Sequence, residues 1–273
     1  MLRSIPSRLI TLLVIIAILF CVRPLSADLL AAPRIVGGTI TSPNEFPWQI
    51  LLEIGGYMCG GSLIHPQWVL TASHCVEGMS ASDATVYLGV HDQDTLNTSV
   101  NPYLQVASVS SILMHKSYNS RTTDYDIALL KLASPVTLTA GVRVIPLAST
   151  KSNSRLYAPG TSLTVSGWGT TSFGGLTSQY LQKVTVPLVA RTSCNAMYGG
   201  GISARMICAG DTVSGGLDSC QGDSGGPLVG NQNGDWVQVG IVSFGNGCAE
   251  AAYPGVYTNV ASLRTWVARY VHS

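Results

Sequence analysis

From residue 35 onward, short runs of β-branched, aromatic and aliphatic residues recur along the chain, each bounded by glycine, proline, asparagine or serine. One set predicts strands at Gln49–Ile54, Met58–Ile64, Trp68–Thr71, Thr85–Leu88, Leu104–Val109 and Ile127–Leu132. A second set predicts strands at Ser162–Ser166, Leu181–Val186, Met206–Ala209, Pro227–Val229, Trp236–Phe244 and Gly255–Asn259. Asn233-Gly234, between two runs of the second set, marks a tight hairpin. Only the C-terminus reads as helix: Val260, Leu263, Trp266, Val267, Tyr270 and Val271 recur at helical spacing and form one apolar face. The pattern predicts an all-β chain of two antiparallel β-barrels with a closing helix, without linker, low-complexity block or repeat.

Composition agrees with that reading. Charged residues are 11% of the 273, against about 25% in an average soluble chain, and 29 glycines and 13 prolines suit a loop-rich β protein. The net charge of +1 hides an asymmetry: residues 1–34 hold Arg3, Arg8, Arg23 and Arg34 against Asp28, a net of +3, leaving −2 on the rest. No basic patch remains that would recruit a nucleic acid or an anionic membrane. Arg3 and Arg8 precede the apolar run Leu9–Val22, which is shorter than the roughly 20 residues of a spanning helix. Pro24 and Leu25-Ser26-Ala27 follow, with small Ala27 at a cleavage point, so residues 1–27 read as a signal peptide and the protein as secreted. A retained signal anchor is the competing reading.

Of seven cysteines, Cys21 falls in that leader. Cys59, Cys75, Cys194, Cys208, Cys220 and Cys248 form an even set in a chain bound for an oxidising compartment, which favours disulfides. Six cysteines can pair in fifteen ways and spacing alone does not choose among them. No cysteine or histidine pair has metal-ligand spacing.

Three segments carry chemistry. Trp68-Val69-Leu70-Thr71-Ala72-Ser73-His74-Cys75 ends a strand on a histidine beside a cysteine, and Asp126-Ile127-Ala128-Leu129-Leu130 puts an acid just before a buried strand. The third is Asp218-Ser219-Cys220-Gln221-Gly222-Asp223-Ser224-Gly225-Gly226-Pro227. Amide hydrolysis needs a nucleophile, a base to take its proton, an acid that holds the base in one tautomer, and donors aimed at the oxyanion. Ser224, His74 and Asp126 supply the first three. The Gly222 and Ser224 amides, freed from Cβ crowding by the flanking glycines, supply the last.

Each residue alone is weak evidence, but in the order His, Asp, Ser the set resembles the chymotrypsin-type serine endopeptidases, closest to their trypsin-like members. The resemblance runs from Ile35 to Ser273 and includes Phe46-Pro47-Trp48, Cys59-Gly60-Gly61-Ser62-Leu63-Ile64, Gly167-Trp168-Gly169 and Pro254-Gly255-Val256-Tyr257. It implies an all-β fold of two antiparallel six-stranded Greek-key barrels with a C-terminal α-helix, with His74 and Asp126 on the first barrel and Ser224 on the second. It also implies the pairs Cys59–Cys75, Cys194–Cys208 and Cys220–Cys248. Asp218, six residues before Ser224, matches the base of the family's primary specificity pocket, with Ser219 beside it and Gly245 and Gly255 as its walls. A carboxylate at the end of an enclosed pocket demands a cation, because leaving a buried charge unpaired costs about 3–5 kcal/mol. Protein and peptide substrates with arginine or lysine before the scissile bond are therefore expected.

Arg34-Ile35 matches the family's activation bond, which makes residues 28–34 a propeptide and residues 35–273 the protease domain. Cleavage would free an ammonium on Ile35, and Asp223 is the matching partner for it. The activator would be a trypsin-like protease or the enzyme itself, and protein inhibitors of serine proteases are expected partners of a monomer. Ser73 and Phe244 depart from the alanine and tryptophan usual at their positions. Val90, Asn97 and Val100 stand where vertebrate trypsins bind calcium through glutamates, so no metal or other cofactor is expected. Asn97-Thr98-Ser99 is a glycosylation sequon in a surface loop. A catalytically silent binding module on this fold would lack a triad member or an oxyanion glycine, and none is missing.

Overall fold

In the computed structural model, residues 38–149, 153–170, 175–216, 221–247 and 250–272 are described. Thirteen strands are formed among them: β1 (Thr39–Ile40), β2 (Gln49–Ile54), β3 (Tyr57–His65), β4 (Trp68–Thr71), β5 (Ala84–Leu88), β6 (Gln105–Met114), β7 (Ala128–Leu132), β8 (Ser162–Gly167), β9 (Gln182–Val189), β10 (Met206–Ala209), β11 (Pro227–Gln232), β12 (Asp235–Phe244) and β13 (Gly255–Asn259). There are two α-helices, α1 (Arg191–Met197) and α2 (Val260–Val267).

The first six long strands close into an antiparallel barrel in the order β2-β3-β4-β7-β6-β5. The step from β4 to β7, which skips β5 and β6, is the Greek-key jump. The second barrel runs β8-β9-β10-β13-β12-β11 and closes because β8 pairs with both β9 and β11. Closure leaves neither sheet with a bare edge. Thr39 and Ile40 add outside β9, opposite Lys183 and Gln182, so the start of the described chain is bound to the second barrel before it builds the first.

Burial follows the sequence pattern. Ile50, Leu52, Leu70, Val86 and Leu129 fill the first barrel, and Leu163, Val165, Val186, Leu228, Val239 and Tyr257 fill the second. Each such side chain contributes about 1.5–3 kcal/mol by leaving water. The face of α2 made by Val260, Leu263, Trp266 and Val267 joins the core of the first barrel, returning the C-terminus across the molecule. Asn259 caps α2 by accepting from Ser262 N at 3.3 Å. The helix ends at Val267, and Tyr270, though in phase, is exposed. The hairpin at Asn233-Gly234 has φ of 58° and 96°, the doubly left-handed turn expected there.

Several elements depart from the expectation: β1 lies outside every predicted run, β11 continues to Gln232, and β6 and helix α1 differ most. β6 continues five residues past Val109, because a register shift between Val109 and Ser111 breaks the alternation that would have revealed it. Helix α1 contradicts the reading that only the C-terminus is helical. It has seven residues, no side-chain cap and one buried side chain, Cys194, so no apolar stripe announces it. The disulfide from Cys194 to Cys208 on β10 fastens it instead. The other pair formed among the described residues joins Cys59 on β3 to Cys75; Cys220 and Cys248 lie outside them.

The barrels are also joined by an ion pair, Arg205 with Asp124. Hydrogen bonds from Arg205 hold the Asp124 carboxyl below the usual carboxylate range, outweighing its partial burial. A lowered native pKa stabilises the fold fully above the unfolded value, about 3.9, and that contribution fades as pH falls through the lowered one.

Two predictions follow from these links, both measured by urea unfolding in a Ser224→Ala background that cannot digest itself. Replacing Cys194 and Cys208 by serine should cost about 2–4 kcal/mol; no change in midpoint would mean that α1 is held by packing alone. The stability gap between Asp124 and Asp124→Asn should be widest near neutral pH and close in acid; a gap independent of pH would contradict the ion pair.

Candidate active site

Strand β4 delivers the chain to Ala72 and Ser73, both without exposure, and then into the turn that carries His74. Four residues of this segment are tied down. Thr71 Oγ1 donates to Gly60 O (2.9 Å), Ser73 Oγ to Ile127 O (2.7 Å) and His74 N to Asp126 Oδ1 (2.9 Å). Cys75 is locked to Cys59 on the neighbouring strand. The His74 ring therefore projects from a fixed backbone, and its Nδ1 lies 2.7 Å from Asp126 Oδ2. With Nδ1–H given to the carboxylate, the neutral ring keeps its lone pair on Nε2, which lies 3.7 Å from Cys75 Sγ.

Asp126 sits two residues before β7 and has no solvent exposure. A carboxylate there is tolerable only with donors around it. Besides the two from His74, Ser243 Oγ on β12 donates to Oδ2 at 2.6 Å, and Thr258 Oγ1 on β13 donates to the Asp126 carbonyl at 2.6 Å. The acid is thus fixed from both barrels. Close by, burial pushes the Tyr118 hydroxyl up to about 12, with the negative charges of Asp126 and Glu77 adding to the effect. Tyr118 stays protonated across the neutral range.

Ser224 occupies the turn before β11 and is half-buried. Its carbonyl accepts from Gly60 N at 2.7 Å, and Gly225 N donates to Val242 O at 2.9 Å. Gly225 has φ +79°, and a Cβ there would collide with Thr71 Oγ1 and Gly60 O. Only glycine lets this turn lie against the strand ends that lead to His74. The preceding Asp223 is wholly buried, and its Oδ1 accepts from Gly169 N at 2.8 Å. Gly222 has φ +95° and packs against Gly169 and Met58.

Gly245 and Gly255 fall together one step past the registered pair Phe244 and Val256, at the ends of β12 and β13. Phe244 meets the Tyr198 ring edge-on, with centroids 6.0 Å apart. Asn97 is exposed, with its side chain accepting from Ser99 N at 2.8 Å. Arg34, Ile35, Asp218 and Ser219 lie outside the described residues. Cys59, His74 and Cys75 bring one nitrogen and two sulfurs within 4.8 Å, but both sulfurs are consumed by their disulfide, so this trio is no metal centre.

Sequence reasoning missed Ser243 and Thr258, and noted Ser73 only as a departure. The available signal was a hydroxyl inside an otherwise apolar strand, as in Ile241-Val242-Ser243-Phe244 and Val256-Tyr257-Thr258, each of which must find a buried partner.

A buried acid on the Nδ1 of a partly exposed histidine and a serine on a glycine-lined turn, at the junction of two β-barrels, define a serine hydrolase of the double-barrel class. Residues 35–267 match the family model described as Trypsin, and the chain belongs to that family. It is 41% identical over 251 residues to trypsin of Xenopus laevis, covering 92% of this chain and 96% of that protein. It is 43% identical over 238 residues to trypsin alpha-4 of Lucilia cuprina, covering 86% of each. It is 40% identical over 243 residues to the suppressor of tumorigenicity 14 protein homolog of Bos taurus, covering 86% of this chain but only 28% of that protein's length. The chain is a serine endopeptidase acting on protein substrates.

Ser243→Ala removes one neutral donor from a buried carboxylate, and a hydrogen bond to a charged group is worth about 1.5–3 kcal/mol. The expected result is a kcat for peptide ester hydrolysis lowered about 10- to 100-fold, with KM little changed. An unaltered kcat would show that His74 and Thr258 suffice to hold Asp126.

Proposed function

We propose that the chain is a secreted precursor, activated by cleavage after Arg34, whose mature enzyme hydrolyses proteins and peptides after arginine or lysine. Ser224 Oγ attacks the scissile carbonyl carbon while its proton passes to His74 Nε2, and Asp126 holds the ring in the tautomer that can accept it. The N–H groups of Gly222 and Ser224 receive the oxyanion. The carbon–nitrogen bond then breaks, the amine leaves with the proton from His74, and Ser224 carries the acyl group. Water, deprotonated by His74, releases the acid and restores the serine. The observation that carries this reading is the His74–Asp126 contact at 2.7 Å, with the carboxylate buried and the ring partly open to solvent.

Specificity rests on Asp218 and Ser219 in a pocket walled by Gly245 and Gly255, and draws support from the two relatives named trypsin. Activation rests on Asp223, a buried carboxylate beside the oxyanion glycine. Received there, the new Ile35 ammonium orders the Gly222 and Ser224 amides. Residues 1–27 act as the leader and 28–34 as the propeptide. Two disulfides fit an oxidising compartment, and among the described residues no helix is long and apolar enough to cross a membrane. Asn97, exposed in its loop, offers an acceptor for an N-linked glycan. A trypsin-like protease or the enzyme itself cuts Arg34–Ile35, and protein inhibitors occupy the cleft of the monomer.

Expression of the full chain in secretory cells tests this. The wild type should appear in the medium as an inactive precursor that trypsin treatment converts to an enzyme cutting after arginine and lysine in a peptide library. Arg34→Gln should remain inactive after the same treatment, and Asp218→Ser should lose arginine and lysine cleavage while keeping slow cleavage elsewhere. Asp126→Asn should lower kcat by about 10⁴. Equal cleavage after arginine and phenylalanine by the wild type would overturn the specificity, and an active Arg34→Gln precursor would overturn the activation step.

A further inference from the structure

The chain enters Asp126 through an unusual backbone. Thr123 and Tyr125, on either side of Asp124, have φ of 52° and 56°. β-Branched and aromatic residues avoid this left-handed region, so surrounding contacts must impose it. Those contacts come from both barrels, and the polar ones to the Asp124 carboxylate from side chains of the second. Arg205 forks onto the Asp124 carboxylate, with Nε donating to Oδ1 at 2.9 Å and Nη2 donating to Oδ2. Ser203 Oγ adds a donor to Oδ1 at 2.8 Å. The same guanidinium lies over the Tyr125 ring, 4.6 Å from its centroid. His115 stacks on that ring at 4.6 Å and 16°, and Trp266 of α2 backs His115 at 5.2 Å. Arg205 is itself anchored, because its carbonyl accepts from Asn259 N at 2.8 Å, next to Thr258, which holds the Asp126 carbonyl.

The left-handed Tyr125 has a direct consequence for the acid. Its carbonyl accepts from Ile127 N at 2.8 Å, closing a three-residue turn with Asp126 at the apex. The backbone at Asp126 is thus tied directly to that of Tyr125.

We infer that Arg205 is a positioning residue for hydrolysis: it clamps Asp124 and the Tyr125 ring together and thereby aims the Asp126 carboxylate at His74. The inference rests on the reading that Asp126 orients His74. Arginine suits the task because its planar fork grips a carboxylate edge-on while its face covers an aromatic ring; an ammonium is a point charge and cannot do both. A purely structural staple between barrels would lower stability and leave the rate of each folded site alone. A positioning clamp lowers that rate.

The test uses the activated enzyme and the variants Arg205→Met, Arg205→Lys, Asp124→Asn and Asp126→Asn, with catalytic sites counted by complete fluorophosphonate labelling. In Arg205→Met and Asp124→Asn, kcat per labelled site should fall about 10- to 100-fold with KM within about twofold, the scale of a misaligned catalytic group. Arg205→Lys should recover only part of the loss. The double variant of Arg205→Met and Asp124→Asn should be no slower than the worse single one, because the two form one device. Asp124→Asn keeps size and shape and decides the matter if Arg205→Met is not secreted. A kcat per site within about twofold of wild type in the clamp variants, while Asp126→Asn is crippled, would overturn the clamp and leave the triad reading intact. A nearly normal Asp126→Asn would instead remove the reading on which the clamp rests, and the clamp with it.

Discussion

A carboxylate with no access to water sits at the seam of two β-barrels, and much of the rest is arranged around it. Burying the charge of Asp126 is unfavourable by several kcal/mol unless donors replace its hydration. The first barrel supplies His74 through its ring and its amide; the second supplies Ser243 and, for the backbone, Thr258. Neither barrel alone satisfies the group. The same bonds that make the charge tolerable also fix the relative placement of β4, β7, β12 and β13, so the chemistry and the inter-barrel geometry share one cause.

A second buried carboxylate, Asp223, follows the same logic at the other side of the site. It accepts from Gly169 N, and a Cβ on either Gly167 or Gly169 would occupy the space its oxygens need. The glycines flanking Trp168 and those around Ser224 are therefore complementary: one set makes room for an acid, the other lets the serine turn lie against the first barrel. A larger residue at any of them would move a charge and a turn together.

Much of this was legible in the sequence because the signals are local. The twelve strand runs correspond to β2–β13, and Asn233-Gly234 makes the turn that its residue types demand. His74, Asp126 and Ser224 each lie within a run of residues specific enough to mark them. What escaped has physical reasons. Helix α1 is held by a disulfide and carries no periodic stripe, and β6 hides half its length behind a bulge. Ser243 and Thr258 could have faced any backbone carbonyl, and nothing local says that they face Asp126. Asp124 and Arg205 are 81 positions apart, and the left-handed turn that joins them to the acid uses residue types that do not predict it.

The account depends most on the claim that Asp126 fixes the tautomer of His74. Nitrogen-15 NMR of the histidine-labelled Ser224→Ala protein, at a pH where the ring is neutral, reads this directly. The account predicts a protonated Nδ1 whose hydrogen is protected from exchange, and an unprotonated Nε2. A ring that carries its proton on Nε2, or that averages the two tautomers as in free solution, would contradict it.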